Sequence, residues 1–468
     1  MATPPKISWS DLAGHAVGLW GLGVEGQANL RKVRAMGITP VLVDDRPAGD
    51  RLDGLPVMST ADAGLAALAR CDVVVKAPGI SRHREDVAYL VQSGVAVAGG
   101  LGLWMEEVDR SRVLCITGTK GKSTTAAVAG HLLGRFGYRC LIAGNIGRPP
   151  YDPDIADHGY DFWVVETSSF QATDLATSPP VVAVTSLHPD HLDWHGDVET
   201  YYRDKLSLCT RPGARMTVAA GEDPVLRDHR ALLGTEVRWV LPGDARLDTG
   251  EPGHSWPEAL GLLGRHNYTN ALVARASLVE MGVTTAADDD AVTRAAAGFR
   301  GLDSRLSSMG SVAGVEFVDD SLATNVLATL AALGSYRRRR VALIVGGFDR
   351  GIDYCPLAHG MAAWLADTPD ATATGRSPSL LVLALPGAGR RVHDAVEAGP
   401  RPAPEVIDVP DVPAACMIGF EWARPDGVVL LSPAAPSFGE FRDYRERSTV
   451  FAAAMRACGR VDQPAARP

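Results

Sequence analysis

The chain has 468 residues, of which 46% are hydrophobic and 22% charged, with a formal net charge of −9 at pH 7. This length exceeds one hydrophobic core and points to about three domains, while the balance excludes a disordered or fibrous chain and a surface that coats nucleic acid. The seven cysteines (Cys71, Cys115, Cys140, Cys209, Cys355, Cys416, Cys458) are scattered without a Cys-x-x-Cys pair, and neither a signal-peptide core nor a long apolar span is present, so buried thiols in a soluble, cytoplasmic protein are expected.

The first element is a short apolar strand, His15 to Trp20, feeding G-L-G-V-E-G at Gly21 to Gly26 and a helix from about Val24 to Met36. A second strand, Val41 to Val43, ends at Asp44 and Asp45. Strand, Gly-x-Gly-x-x-Gly, helix, strand and acidic end is the dinucleotide-binding outline, and Gly21, Gly23 and Gly26 would let a pyrophosphate approach the helix start. A strand at Val73 to Val75 then runs into the turn Lys76 to Ile80, and loops at strand ends are where an open sheet takes ligand. Gly94 to Trp104 is a glycine-rich closing segment, and Glu106 to Arg112 reads as the linker.

The most informative stretch follows, R-V-L-C-I-T-G-T-K-G-K-S-T-T at Arg112 to Thr125. Val113 to Ile116 is a buried strand, Thr117 to Gly121 a tight loop, and Ser123 to Leu133 a helix. Backbone N–H groups around Gly118, Thr119, Lys120 and Gly121 can surround an anion at the helix start, Lys122 can reach the β and γ phosphates, and Ser123 or Thr124 can ligate Mg²⁺. A P-loop of this kind argues against nicotinamide chemistry on the first glycine turn. Beyond it, Asn145 sits in a second glycine-framed turn, suited to a phosphate-bearing substrate or a metal-bound water. Glu166 ends the strand Phe162 to Val165, where its carboxylate can face the loop and hold Mg²⁺. The strand Val181 to Ser186 ends in L-H-P-D-H-L-D-W-H-G, with His188, Asp190, His191, Asp193 and His195. No cysteine joins them, and the spacing favours a hard metal over zinc. Lys205 lies on the helix from Val198, one turn after Tyr201.

The shortened loop T-G-T-K-G-K-S resembles that of the Mur ligases and the related folylpolyglutamate synthases, which form amide bonds with ATP. The segment T-S-L-H-P-D-H-L-D-W-H-G-D-V-E-T-Y-Y-R-D-K is similar to the Mur-ligase run in which a histidine helps to hold a second Mg²⁺ and a helical lysine is carbamylated. The resemblance puts His191 and Lys205 in those roles. His266, Asn267, Asn270 and Ala271 match the family's H-N-x-x-N-A motif, which makes Asn270 a nucleotide contact.

Further on, F-R-G-L-D-S-R-L at Phe299 to Leu306 is similar to the family's entrance to its third domain, with Ser304 in place of histidine and Arg305 assigned to the ATP phosphates. The strand Val315 to Val318 runs into D-D-S-L-A-T-N, which matches the motif that puts Asp320 on the ribose or base side of ATP, although Leu322 replaces a lysine. Asn325 is a cap or a ligand contact. G-G-F-D-R-G-I-D, after the strand Arg339 to Gly347, resembles the glutamate-adding branch, with Arg350 standing where that branch uses lysine on the amino acid's carboxylate. S-P-A-A-P-S-F-G-E-F-R-D-Y-R-E-R-S, after the strand Val428 to Leu431, matches the same branch at Ser432, Ser437, Phe441 and Arg447 and departs from it at Gly439, Asp443, Tyr444 and Ser448.

The expected architecture is α/β with three domains: residues 1–108 a Rossmann-like domain for the UDP-sugar, 109–299 a central P-loop ATPase domain, and 300–468 a Rossmann-like domain for the amino acid. The resemblance implies a monomeric ATP- and Mg²⁺-dependent ligase of peptidoglycan precursor synthesis that joins glutamate to UDP-N-acetylmuramoyl-L-alanine through an acyl phosphate. Lys122, His191 and Lys205 would be catalytic; Ser123, Glu166, His191 and Lys205 would hold metal. Gly118 to Thr124, Asn270, Arg305 and Asp320 would bind ATP, and Gly21, Gly23, Gly26, Asn145, Arg350, Ser437 and Tyr444 the other substrates. Changes at Leu322, Arg350, Gly439 and Tyr444 around an unchanged phosphate loop, together with the L-W-G-x-G-x-E-G opening, favour L-glutamate over D-glutamate. The rival readings are a folylpolyglutamate synthase, which lacks the amino-terminal UDP-binding domain, and a non-catalytic nucleotide-binding regulator.

Overall fold

The structure, a computed structural model, describes residues 3–155, 159–245, 256–262, 264–299, 301, 304–367 and 379–461. Two compact units are formed, Met1–Gly261 with Asn267–Phe299, and Leu262–His266 with Arg300–Pro468.

The first unit carries two sheets. The elements of the first are β1 (Val17–Trp20), α1 (Val24–Ala35), β2 (Val41–Asp44), β3 (Arg51–Leu52), β4 (Leu55–Ser59), α2 (Leu65–Leu68), β5 (Val73–Lys76), α3 (Glu85–Gln92), β6 (Ala96–Gly99) and α4 (Gly100–Met105). The order is β3-β4-β2-β1-β5-β6, parallel except for the β3–β4 hairpin. β1 and β5 are buried at every position, as strands covered on both faces must be. The glycine-rich segment before Trp104, expected only to close the domain, is in fact an edge strand and a helix, β6 and α4. Its glycines serve close approach: a Cβ on Gly99 would stand 2.6 Å from the Asp174 side chain, and one on Gly102 2.4 Å from the Asp174 carbonyl oxygen.

The second sheet comprises β7 (Val113–Thr117), α5 (Lys122–Arg135), β8 (Cys140–Gly144), β9 (Phe162–Glu166), α6 (Ser169–Ala172), β10 (Val181–Val184), α7 (Leu192–His195), α8 (Val198–Leu206), β11 (Met216–Ala220), α9 (Pro224–Asp228), β12 (Val237–Val240), α10 (Trp256–Ala259), α11 (Arg265–Glu280) and α12 (Asp289–Ala296). All its strands are parallel, in the order β12-β11-β10-β7-β9-β8. Register aligns Ile116 with Glu166 and Thr117 with Val184, so the ends of β9 and β10 flank the loop after β7. The two sheets are joined by buried ions: Lys76 Nζ and Arg82 Nε each donate to Asp174 at 2.6 Å. Arg31 grips Asp152 through Nε at 3.0 Å and Nη2 at 2.6 Å.

The second unit holds one sheet, built from β13 (Ser307–Val312), β14 (Val315–Asp319), α13 (Val326–Gly334), β15 (Val341–Gly347), α14 (Cys355–Ala366), β16 (Leu380–Gly387), α15 (Ala388–Glu397), β17 (Glu405–Asp408), α16 (Val412–Ala423), β18 (Val428–Leu431) and α17 (Tyr444–Val461). The order is β13-β14-β18-β15-β16-β17, with an antiparallel β13–β14 hairpin and parallel pairing elsewhere. Helices cover both faces: Leu333, Leu357, Met361 and Val392 pack in one core layer, and Val412, Phe420, Phe451 and Cys458 in the other. All seven cysteines are free thiols; Cys71, Cys115, Cys209, Cys416 and Cys458 are buried as expected, whereas Cys140 is partly exposed and Cys355, in the first turn of α14, is exposed. Among the described residues no helix is long and apolar enough to cross a membrane.

Candidate active site

The loop from Gly118 to Gly121 leaves β7 and opens α5, which starts at Lys122. Gly118 has φ +134° and Gly121 φ +92°, conformations that L side chains rarely adopt. A Cβ would also stand 2.2 Å from Thr185 Oγ1 at Gly118 and 2.3 Å from Asn270 Oδ1 at Gly121. Asn270, expected as a nucleotide contact, is therefore pressed against the loop from α11, its amide donating to Asn267 Oδ1 at 3.2 Å. The segment after β10 supports the loop from below. Thr119 N–H donates to the Ser186 carbonyl at 2.8 Å and Lys120 N–H to Ser186 Oγ at 2.9 Å. The first-turn N–H groups of α5 have no intrahelical partner by construction and present positive potential at its start.

Beside the helix start, Ser123 Oγ donates to Glu166 Oε2 at 2.5 Å, and Asn145 Nδ2 donates to Glu166 Oε1 at 2.7 Å. Glu166 is buried rather than a solvated strand-end acid. Lys122 Nζ donates to the carbonyls of Gly118 at 2.9 Å and Thr119 at 3.3 Å, and Lys205 Nζ reaches the same Gly118 carbonyl at 3.1 Å. Lys205 is 2% exposed and its ammonium is held well below the usual lysine range, first by burial and then by Lys122. His191, in a left-handed conformation at φ +51°, is half-exposed with its ring edge-on to Phe170. Burial, then the charges of Lys205 and Lys120, push its imidazolium down against the pull of Asp190. Glu166, His191 and Lys205, on three separate segments, thus gather around one phosphate-sized turn.

Sequence reasoning gave several groups here no role. Tyr201 Oη lies 3.0 Å from Thr119 Oγ1, and the same ring faces Lys205 Nζ at 4.9 Å. Of the five polar residues after β10, only His195 enters a three-residue cluster: His195 Nδ1 and His83 Nε2 both meet Asp204 Oδ2 at 2.7 Å, and His195 Nε2 meets Ser169 Oγ at 3.0 Å. These ligand atoms are close enough to share an ion, but hydrogen bonds already satisfy them. No local spacing signalled the cluster: Asp204 comes nine residues after His195 on α8, and His83 comes from the first sheet's segment.

In the amino-terminal turn the three glycines differ. A Cβ on Gly26 would stand 1.9 Å from the Gly21 carbonyl oxygen and one on Gly21 2.9 Å from Ala77 Cβ, whereas one on Gly23 meets nothing within 4 Å. Gly21 and Gly26 serve packing, and Gly23 faces open space. Leu22 N–H is held by Asp44 at 2.6 Å. Glu25, at the start of α1, pairs with Gln171 of α6, and burial lifts its carboxyl to about 7.

In the second unit Asp320 is turned inward, accepting from Ser432 Oγ at 2.7 Å and from Leu306 N–H at 3.1 Å. Arg305, the chain neighbour of that Leu306, pulls the Asp320 carboxyl down by its charge and stands between two left-handed residues, Ser304 at φ +60° and Leu306 at φ +48°. Asn325 caps α13 through Ala328 N–H at 3.0 Å. Arg350 is exposed and donates to the Thr324 carbonyl at 3.0 Å. Ser437 is buried, and Tyr444 begins α17. Arg447 is fully buried, donating to the Ser321 carbonyl at 2.7 Å, and burial lowers its guanidinium to about 10.

A glycine loop opening on a helix start, with two lysines and a buried hydroxyl–carboxylate pair beside it, is the build of a P-loop nucleotide-binding protein on an α/β frame. Residues 116–241 match the model of the Mur ligase middle domain. The chain is 40% identical to a UDP-N-acetylmuramoyl-L-alanine–L-glutamate ligase of Micromonospora sp., over 96% of this chain and 98% of that protein. It is 38% identical to a ligase of the same name from Salinispora tropica, over 96% and 98% respectively. The fold is similar to that of a MurF ligase from Thermotoga maritima crystallised with ADP, with a TM-score of 0.54 and 13% identity over 98% of each chain. The chain belongs to the Mur ligase family.

Proposed function

We propose that this chain is an ATP-dependent, ADP-forming ligase that joins L-glutamate to UDP-N-acetylmuramoyl-L-alanine in peptidoglycan precursor synthesis. Relatives bearing that name span nearly the whole of both chains, and this single observation carries the choice of acceptor and amino acid. The charge arrangement around Gly118 to Ser123 supports the chemistry. The acceptor's carboxylate attacks the γ-phosphorus of ATP, ADP departs, and glutamate's amine then displaces phosphate from the acyl phosphate to leave an amide. Lys122 and the α5 N–H groups neutralise the charge that builds on the transferring phosphoryl oxygens.

The oxygen donors of this set, Ser123, Glu166 and a carbamate on Lys205, fit magnesium, a hard cation that takes oxygen ligands. Ser123 and Glu166 would hold one ion, and His191 with a carbamylated Lys205 a second. Magnesium, when bound, supplies Lewis-acid stabilisation of phosphate charge. Lys205 is chemically suited to carbamylation. A depressed ammonium pKa raises the share of neutral amine, the form that adds to CO₂, and the resulting anion relieves the crowding of Lys120, Lys122 and Lys205 around one turn. Residues 1–108 would hold the UDP-sugar with Gly23 at its open turn, 109–299 ATP with Asn270 against the loop, and 300–468 the amino acid through Arg350, Ser437 and Tyr444, with Arg305 and Asp320 on the nucleotide. The protein would act as a cytoplasmic monomer.

The test is ADP release from the purified chain with ATP and Mg²⁺. The proposal requires release only when UDP-N-acetylmuramoyl-L-alanine and glutamate are both present, with L-glutamate preferred. Turnover with a pteroate acceptor would indicate a folylpolyglutamate synthase, and silence with every acceptor a regulator.

A further inference from the structure

The carboxyl ends of β14, β18 and β15 lie side by side, with Leu431 aligned to both Asp319 and Ile344. Their loops are tied together at short range. Gly346 N–H donates to the Pro433 carbonyl at 2.8 Å, and Phe348 N–H donates to the Pro436 carbonyl at 2.9 Å. Arg350 Nη2 donates to the Thr324 carbonyl at 3.0 Å. Gly347, at φ +135°, allows this, because a Cβ there would stand 2.4 Å from the Pro436 carbonyl oxygen. The crevice outside strand ends where order reverses is where an open α/β sheet takes ligand.

On this rim stand two phenyl rings with no core to fill: Phe348 is 50% exposed and Phe438 60% exposed. Phe348 is the better fixed of the two. Its backbone is hydrogen-bonded to the facing loop, and its Cδ2 lies 3.8 Å from where a Cβ on Gly439 would be. Gly439, at φ +96°, carries no side chain, so the ring rests over bare backbone beside Ser437. The rim therefore offers the Arg350 guanidinium, the buried Ser437 hydroxyl and one apolar wall held in place, while the neighbouring Arg391 is tied to Asp349 at 2.9 Å.

We propose that Phe348, held over Gly439, is the specificity-determining wall that sets which enantiomer of glutamate reacts; this rests on the ligase reading above. Both enantiomers offer the same two carboxylates and amine. Once Arg350 fixes a carboxylate and the amine must face the acyl carbon, they differ in where the two methylenes and the Cα hydrogen fall. A third, apolar contact is needed to tell them apart. Phe348 receives the methylene stem of the L-form, whereas the D-form with the same carboxylate and amine placement turns its stem away and leaves only the Cα hydrogen toward the ring. Discrimination by one apolar contact is about 10- to 200-fold.

The experiment measures kcat/KM for L- and D-glutamate by ADP release in the full-length wild type, Phe348→Ala and Phe348→Leu, together with the KM of ATP and of the UDP-linked acceptor. The expected result is an L-over-D ratio that falls about tenfold or more in Phe348→Ala and less in Phe348→Leu, through a rise in the KM of L-glutamate, with the other two KM values within twofold. A ratio unchanged in both variants, or equal loss of kcat for both enantiomers, overturns the inference while leaving the ligase reading intact. Wild-type preference for D-glutamate overturns it as well. A wild type silent with both enantiomers overturns the ligase reading and the inference with it.

Discussion

The Ser123 hydroxyl donates to the Glu166 carboxylate at 2.5 Å, so the helix start after β7 and the end of β9 are locked together by the two groups best suited to an Mg²⁺ ion. Asn145 holds the second carboxylate oxygen at 2.7 Å, which fixes the orientation of Glu166. Glu166→Gln keeps the shape and the bond to Ser123 but removes the charge. ADP release at saturating ATP should fall by about 10²-fold or more, the scale for removing one preorganised electrostatic partner, and the Mg²⁺ needed for half-maximal rate should rise. Full activity of the variant at low Mg²⁺ would remove Glu166 from metal binding.

Lys205 is buried and its ammonium is disfavoured by burial and by Lys122, which favours the amine form that takes up CO₂. Protein equilibrated with ¹³C-bicarbonate should give one carbamate carbon resonance that disappears in Lys205→Arg. Activity of that variant should drop by about 10²-fold or more, because a permanent cation replaces an anionic ligand. A resonance that persists in Lys205→Arg would place the modification elsewhere.

Gly23 and Gly26 share one turn but differ in what surrounds them. A Cβ on Gly26 would collide with the Gly21 carbonyl oxygen at 1.9 Å, whereas one on Gly23 meets nothing within 4 Å. Gly26→Ala should therefore cost about 1–3 kcal/mol or more of stability, as overpacking does. Gly23→Ala should melt like the wild type yet raise the KM of the UDP-linked acceptor, since the added methyl enters the open turn. Equal melting temperatures for the two variants would refute this division of labour.

The local run from Val113 to Thr124 was legible because an apolar strand, paired glycines and a Lys-Ser-Thr start occur in unbroken order, and the loop conformation follows from those glycines. Glu166 was legible for a related reason: an acid closing the apolar strand Phe162–Glu166 lies at the strand end by construction. What pairs with what was not legible. Asn145 reads as a polar turn residue, and its place on the Glu166 carboxylate depends on β8 lying beside β9. His83 and Asp204 are 121 residues apart, and nothing in either segment announces the other. The β13 hairpin was missed because S-S-M-G-S-V lacks the alternation of a half-buried strand. In the second unit Arg350 and Ser437 stood out through resemblance alone, since an exposed loop arginine and a loop serine carry no local pattern.

Asp174 receives Lys76 and Arg82 at 2.6 Å each, with all three side chains almost fully removed from water. Breaking such a group by removing its one anion leaves two buried cations facing each other. Asp174→Ala should cost about 3–5 kcal/mol of unfolding free energy, whereas Asp86→Ala, which breaks a partly exposed pair with Arg84, should cost under about 1 kcal/mol. Urea unfolding of both variants decides it, and similar midpoints would mean that water enters the Asp174 site.

Burial lifts the Asp320 carboxyl from 3.8 to about 7, against the opposing pull of Ser432, Leu306 and Arg305. The folded chain then binds this proton more tightly than the unfolded chain does. Stability from the group is complete below the unfolded value near 3.8 and is lost as pH rises through about 7. At one pKa unit per 1.36 kcal/mol, the loss is at most about 4 kcal/mol. Asp320→Asn cannot ionise, and its amide can still accept from Leu306 N–H while donating to Ser432 Oγ. The variant should thus be the more stable of the two at pH 8, and its advantage should shrink steadily as pH falls to 5. Unfolding midpoints of wild type and variant across that range supply the measurement. Parallel profiles would mean that Asp320 stays ionised throughout, held so by Arg305.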